Sequence, residues 1–201
     1  MSQTSAQEMN QRTDVLLLRE RFPQAIQEVY TFRGDTWVVI DKAYLLEVCR
    51  FLRDDPELSY RFLSDVVGID QLGRREPRFE VVYHLYSFRT FTRLFLKVRV
   101  NENETIPSVT GIYPGANFPE REVYDMFGIV FEGHPDLRRI LMPDDWVGHP
   151  LRKDFPLGGE QVVFDQGTLG PSIEEVQTPH PESPSLGKQD CPAGSNRWRQ
   201  A

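Results

Sequence analysis

Cysteine is almost missing from this chain of 201 residues, which holds only Cys49 and Cys191. Two thiols are too few to carry an iron–sulfur cluster, and their separation matches no zinc-binding spacing. Histidine is nearly as sparse. His84, His134, His149 and His180 stand in no H-x-x-x-H or H-E-x-x-H arrangement, so no metal site is expected. No Gly-rich fingerprint or phosphate loop follows a candidate strand, and no G-x-S-x-G surrounds a serine, which argues against a nucleotide-binding fold and a serine hydrolase. No run nears the ~20 apolar residues of a membrane-spanning helix. Residues 1–12 (MSQTSAQEMNQR) lack the apolar stretch of a signal peptide and the arginines of a transit peptide, so the chain is expected to stay where it is made. Positive charge is in deficit, with a formal net charge of −7. Phosphate neutralisation needs a basic face, and no nucleic-acid partner is expected.

What is present is an ordinary globular composition, 39% hydrophobic and 26% charged, which suits one domain. Residues 14–21 read as a short amphipathic helix, with Val15, Leu18 and Phe22 on one side and Pro23 ending it. Residues 26–32 and 36–40 read as a hairpin around Arg33-Gly34-Asp35. Asp41 is placed to cap a helix over 42–53, whose apolar positions 45, 48, 49 and 52 include Cys49 as a small core residue. Residues 62–69, 79–88 and 91–100 are strand-like. In the last of these, Leu94, Leu96, Val98 and Val100 alternate with Arg93, Phe95, Lys97 and Arg99, which predicts one buried and one partly exposed face. Residues 107–113 read as a brief helix or turn. Hairpins and adjacent strands favour an α+β fold, a mixed or antiparallel sheet with helices packed on one face. Residues 1–12 are expected to be flexible, and 13–157 to form the domain. From Gly158 onward the chain has six Gly, five Pro and one small apolar knot, Val162-Val163-Phe164. Such a segment builds no core of its own and reads as an extended irregular tail, with Cys191 exposed in it.

Residues 117–157, NFPEREVYDMFGIVFEGHPDLRRILMPDDWVGHPLRKDFPL, are the densest stretch of helix punctuation, charge and aromatics. Asn117 has the chemistry of an N-cap, Pro119 suits a first turn, and Glu120 stands where a capping box places its carboxylate. Gly128 suits the C-cap, so a helix is predicted over 118–127. Val123, Met126 and Phe127 mark its buried face, Glu122 and Asp125 share another, and Arg121 and Asp125 are spaced for an i,i+4 pair. Beyond it, Gly133-His134-Pro135-Asp136, Pro143 and Gly148-His149-Pro150 dictate a turn-rich path that needs something to lie against. The domain's own sheet or a second protein would serve.

A catalytic reading would use Glu120, Glu122 and Asp125 as acid and base, or as metal ligands beside His134. Capping and nearby arginines account for these carboxylates without chemistry, and Gly-His-Pro is a turn context for His134 and His149. An interface accounts for more. Arg121, Arg138, Arg139, Arg152 and Lys153 alternate with carboxylates, which suits bidentate contacts across a fixed seam. Pro135, Pro143, Pro150 and Pro156 hold the path extended. A permanent neighbour would cover Trp146 and Phe155, expected to be exposed.

The runs EREVYDMFGIVFEGHPDLRRIL (residues 120–141) and GHPLRKDFPL (residues 148–157), each present with no gap, resemble the 30-kilodalton subunit family of proton-pumping NADH:quinone oxidoreductase, respiratory complex I. The resemblance covers roughly residues 12–158. It implies a non-redox structural subunit of the peripheral arm, held at the cytoplasmic side of the cell inner membrane through its complex. It also implies packing against the 49-kilodalton subunit beside the iron–sulfur subunits. FMN, iron–sulfur clusters and quinone would then belong to partner subunits, with no catalytic, cofactor-binding or metal-binding residue on this chain. The C-terminal extension would run over a partner. The candidate interface residues are Glu120, Arg121, Glu122, Asp125, His134, Arg138, Arg139, Trp146, His149, Arg152, Lys153 and Asp154. The equivalent subunit of a membrane-bound hydrogenase or a ferredoxin-fed complex is a near alternative. A stand-alone hydrolase using the 120–125 carboxylates is a distant one.

Overall fold

A computed structural model describes residues 12–156. The expected tail with Cys191, His180 and Val162–Phe164, and the first eleven residues, lie outside the described residues. Helix α1 spans Thr13–Arg21, β1 Ile26–Phe32 and β2 Asp35–Ile40; a single 3-10 turn, Lys42–Tyr44, leads into α2, Leu45–Asp54. Strands β3, Phe62–Asp70, β4, Phe79–Ser87, and β5, Thr92–Val100, follow. Then come β6, Thr105–Pro107, a second 3-10 turn, Pro114–Ala116, α3, Asn117–Phe127, and β7, Val130–Glu132.

The five long strands form one mixed sheet in the order β1-β2-β5-β4-β3. The β1–β2, β3–β4 and β4–β5 neighbours are antiparallel, as short connections allow, and β2–β5 is parallel. The β1–β2 turn holds Arg33 and Gly34 at φ 53° and 88°, the left-handed pair that matches the twist of a two-residue hairpin. Asp41 caps as expected, accepting from the Ala43 N–H at 2.9 Å.

One face of the sheet carries the core. Leu94, Leu96, Val98 and Val100 of β5 meet Val81, Tyr83 and Leu85 of β4 and Val38 and Ile40 of β2. Against them lie Val15 and Leu18 of α1, Leu45, Val48, Cys49 and Leu52 of α2, and Val123, Met126 and Phe127 of α3. All three helical faces and the strand alternation are therefore realised. The opposite face is more closed than alternation predicts. Tyr30, Trp37, Phe95 and His84 form a row of rings across four strands, with centroids 6.0, 4.3 and 3.8 Å apart. Lys97 lies beneath Tyr30 and Trp37 and reaches Glu80 at 3.1 Å. Phe95 and Lys97 are thus buried by their cross-strand neighbours.

The pairing of β6 with β7 was not expected from the sequence. It is parallel and brackets α3 as a small β–α–β unit. Elements of three residues leave no periodicity to read.

Candidate functional site

Helix α3 begins differently from the expected capping box. Pro114–Ala116 is already helical in the 3-10 sense, so Asn117 sits at φ −51° and ψ −58° inside the helix. The N-cap position falls to Ala116, with no side-chain cap hydrogen bond. Glu120 is fully buried and turns towards the β6–α3 connection instead. Its carboxylate accepts from Ser108 Oγ at 2.6 Å and from the Val109 N–H at 2.8 Å. Burial pushes its pKa up, and these two hydrogen bonds and the nearby His134 offset that only partly.

The other end of the helix matches the expectation for Gly128, which adopts φ +75° and donates its N–H to Tyr124 O at 2.8 Å. The last three helical carbonyls, which a helix leaves without internal partners, are filled by the second half of the signature. His149 Nδ1 donates to Asp125 O at 2.9 Å, the Leu151 N–H to Met126 O at 3.1 Å, and Arg152 Nε to Phe127 O at 2.6 Å. The guanidinium of Arg152 also complements the negative end of the helix dipole. The two sequence motifs are therefore one device, a helix and the segment that caps it. Burial lowers the pKa of His149, and Arg152 and Arg139 lower it further against the opposing hydrogen bond to Asp125 O. A β-carbon on Gly128 would come within 2.5 Å of His149 Nε2 and 2.7 Å of Arg152 Nη2.

Asp125 and Glu122 do not share an environment: Asp125 is fully buried and Glu122 is exposed. The expected Arg121–Asp125 pair does not form. Asp125 accepts from Arg139 Nη1 at 2.6 Å and from the N–H groups of Ile140, Leu141 and Met142 at 3.0, 2.8 and 2.9 Å. Burial raises its pKa, but the hydrogen bonds from Met142, Arg139, Leu141 and Ile140 outweigh it and hold the carboxyl below its ordinary value. Arg121 instead donates to the carbonyls of Arg138 and Arg139 at 3.1 and 3.0 Å. Arg139 donates onward to Trp146 O and Gly148 O at 2.9 and 3.0 Å. His134 Nδ1 accepts from the Asp136 N–H at 3.0 Å, which leaves Nε2 to donate to Asn117 O at 3.1 Å.

The final charged run is fastened to the sheet. Asp154 meets Arg78 Nη2 at 2.6 Å, and Arg78 also holds Asp70 at 2.9 Å. The Lys153 N–H donates to Asp70 Oδ2 at 2.9 Å, and Arg152 reaches Glu102 at 2.7 Å. The turn-rich path thus lies against its own domain. Trp146 and Phe155 are half-buried rather than exposed, and the ring of Phe155 presses on Gly148. Asp70, Arg78, Glu102 and Ser108 complete the site and escaped the sequence reading, because their partners stand at no helical or strand period, from 8 residues away (Asp70–Arg78) to 83 (Asp70–Lys153).

The candidate residues divide by geometry. Glu120, Arg121, Asp125, His134, Arg139, His149, Arg152 and Asp154 are occupied within the chain. Glu122, Lys153 and Arg138 face outward, Arg138 with its neighbour Asp136 as ion-pair partner. Around them Phe118, Leu141 and Val147 are 63%, 59% and 88% exposed, an apolar display that suits protein contact. Among the described residues no three His, Cys, Asp or Glu side chains are grouped to hold a metal ion, and Glu120, Glu122, Asp125 and His134 form no such group. Among the same residues no helix is long and apolar enough to cross a membrane.

This architecture is similar to solved relatives. A trypsin-resistant fragment of Nqo5 is 37% identical and superposes with a TM-score of 0.53, over 62% of this chain and 98% of the fragment. A chain of the membrane-bound sulfane sulfur reductase, described as an archaeal respiratory membrane complex, is 26% identical with a TM-score of 0.59, over 71% of this chain and 84% of that one. In sequence, the NADH-quinone oxidoreductase C subunit of Roseiflexus sp. (strain RS-1) is 59% identical over 148 residues, 73% of this chain and 84% of the relative. The C subunit of Geotalea uraniireducens (strain Rf4) is 51% identical over 156 residues, 77% of this chain and 93% of the relative. Residues 38–161, which include the capped helix and its fastenings, match the family described as the respiratory-chain NADH dehydrogenase 30 Kd subunit, and the chain belongs to that family.

Proposed function

We propose that this chain acts as the 30-kilodalton member of an NADH-quinone oxidoreductase, a structural piece of the peripheral arm that carries no redox centre or catalytic group of its own. The observation that carries this reading is the state of the signature residues. Its buried acids, histidines and arginines are committed to one another and to main-chain groups, and the side chains left over are those suited to gripping a neighbour. A rigid body of this kind holds partners in register. Electron transfer from NADH through FMN and iron–sulfur clusters to quinone, coupled to proton translocation, is assigned to the assembled complex. The 49-kilodalton subunit and adjacent iron–sulfur subunits are the partners the family resemblance implies, with attachment to the cytoplasmic side of the cell membrane through the complex.

A native gel of detergent-solubilised membranes, stained for NADH dehydrogenase activity and probed for this chain, tests the reading. The expected result is migration within a large NADH-active band. Migration near the chain's own 23.3 kDa alone would overturn it. The likeness to the sulfane sulfur reductase chain favours one second reading, the equivalent subunit of a related membrane complex. That predicts a large band without NADH activity.

A further inference from the structure

We propose that one end of the sheet's helix-free face, around Phe62, Phe88 and Phe91, docks an acidic stretch of a neighbouring subunit that also carries apolar side chains. The inference rests on the subunit reading above and names a surface within it. Helices α1, α2 and α3 all pack on the other face of the sheet. On the helix-free face the middle row closes on itself, because Tyr30, Trp37, Phe95 and His84 pack ring against ring. The row at the end of the strands does not. The register sets Phe32, Asp35, Arg93, Tyr86 and Phe62 side by side on β1, β2, β5, β4 and β3, with Arg93 meeting Asp35 across β2–β5 at 3.6 Å. At about 4.8 Å per strand this row is roughly 19 Å wide.

Phe88, just past the end of β4, extends the row, its ring centroid 5.0 Å from that of Tyr86 and 5.5 Å from that of Phe62. Phe32, Phe62, Phe88 and Phe91 are 55%, 47%, 62% and 75% exposed. Among the described residues only Phe118 is an exposed phenylalanine elsewhere, so the topology gathers these rings at one end. Phe91 stands in the β4–β5 turn at φ +54°. Asparagine or glycine adopts that left-handed backbone at less cost than a bulky ring. A large apolar side chain set in water from such a position gains nothing for the isolated fold, which suits a ring kept for contact.

The charge around the rings selects the occupant. Arg33, Arg61, Arg89 and Arg93 are exposed there, while the acid within the row, Asp35, is half-buried beside Arg93 and Asp65 stands one row further in. Arginine and aromatic rings are the side chains that interface cores select over lysine. A second copy of the chain would bring arginine against arginine, and the overall charge of −7 opposes nucleic acid. Carboxylates flanked by apolar side chains match the patch, since each arginine fork can take a carboxylate while the rings take the apolar groups.

Hydroxyl-radical footprinting of Phe62, Phe88 and Phe91 in the isolated full-length chain and in the purified complex tests this. The expected result is oxidation slowed about threefold or more on assembly. Equal oxidation in the two forms, with the chain present in the complex, overturns the docking and leaves the subunit reading standing. Phe91→Asn is expected to melt at or above the parent, because asparagine accepts the left-handed backbone, yet to enter the complex about tenfold less. Parental incorporation, or melting well below the parent, overturns the role given to this ring. Arg61→Glu is expected to melt like the parent and to enter the complex less, and parental incorporation overturns the choice of an acidic partner. Self-association of the isolated chain, or its binding of a single-stranded oligonucleotide, overturns the proposal if Phe91→Asn abolishes it. Absence of the chain from any complex overturns the subunit reading and this inference together.

Discussion

Arg139 Nη1 donates to Asp125 Oδ1 at 2.6 Å in a contact where the carboxylate is fully buried and the arginine side chain only 15% exposed. Two residues that spacing marks as a seam for another protein are in fact partners of each other. Removing Arg139 leaves a buried carboxylate without its cation, and Arg139→Ala is expected to cost about 3 kcal/mol in urea unfolding. Arg138→Ala, an exposed neighbour whose ion pair is with Asp136, is expected to change stability by less than about 0.5 kcal/mol. Its effect should appear instead as weaker incorporation into the complex.

Gly68 illustrates a second dependence on close approach. A β-carbon there would lie 2.6 Å from Phe127 Cδ2 and 3.2 Å from Val123 Cγ1. Gly68→Ala is expected to cost about 1–3 kcal/mol through overpacking. Phe127→Leu, which removes the obstructing ring edge, should recover part of that loss in the double variant. Additive losses in the cycle would show that the two positions do not press on each other.

The main elements were legible because their patterns are long. The alternation over Leu94–Val100 and the four-position face of α2 each repeat often enough to fix a period, and both appear in the core. Gly128 was legible because a helix end demands a left-handed residue. The signature's roles were not. Asn117 looks like a cap in sequence, but the preceding Pro114–Ala116 turn carries the chain into helix before reaching it. Arg152 and His149 look like partner-binding groups, but the carbonyls they fill belong to a helix some 25 residues earlier. Such pairings depend on tertiary return of the chain, which carries no local period. The sequence signal for the tight β3–α3 approach was Gly68 itself, since glycine within a strand often marks close packing.

Asn117→Ala separates the cap expectation from the observed geometry. A working N-cap would cost about 1 kcal/mol on truncation. With Asn117 inside the helix and no side-chain cap bond, the expected change in urea unfolding is under about 0.5 kcal/mol. A full cap-sized loss would mean that its side chain serves the helix after all.

Asp70 should govern part of the acid limit. Burial pushes its carboxyl up, but Arg78 and the N–H groups of Lys153 and Leu72 overcome this and hold it at about 2. A folded pKa below the unfolded one, about 3.9, adds stability that is fully present above pH 4 and disappears as pH falls towards 2. The contribution is roughly 2 kcal/mol. Asp70→Asn should therefore be less stable than the parent near neutrality, with the gap closing between about pH 4 and 2.

Glu120 has the opposite sign. Burial raises its pKa in the folded chain, so folding favours the protonated form and its contribution to stability falls as pH climbs from the unfolded value of about 4.3. Glutamine fits the same place. Its carbonyl oxygen accepts from the Val109 N–H, and its amide donates to Ser108 Oγ, the two partners Glu120 has now. Glu120→Gln is therefore expected to match or exceed the parent in urea unfolding at pH 7, with the difference shrinking as pH is lowered towards 4. Glu120→Ala strands both partners in the interior and should cost about 2 kcal/mol near pH 4, with a smaller loss at pH 7. A glutamine variant that loses ground as pH rises would show that the ionised carboxylate is what the fold prefers at this position.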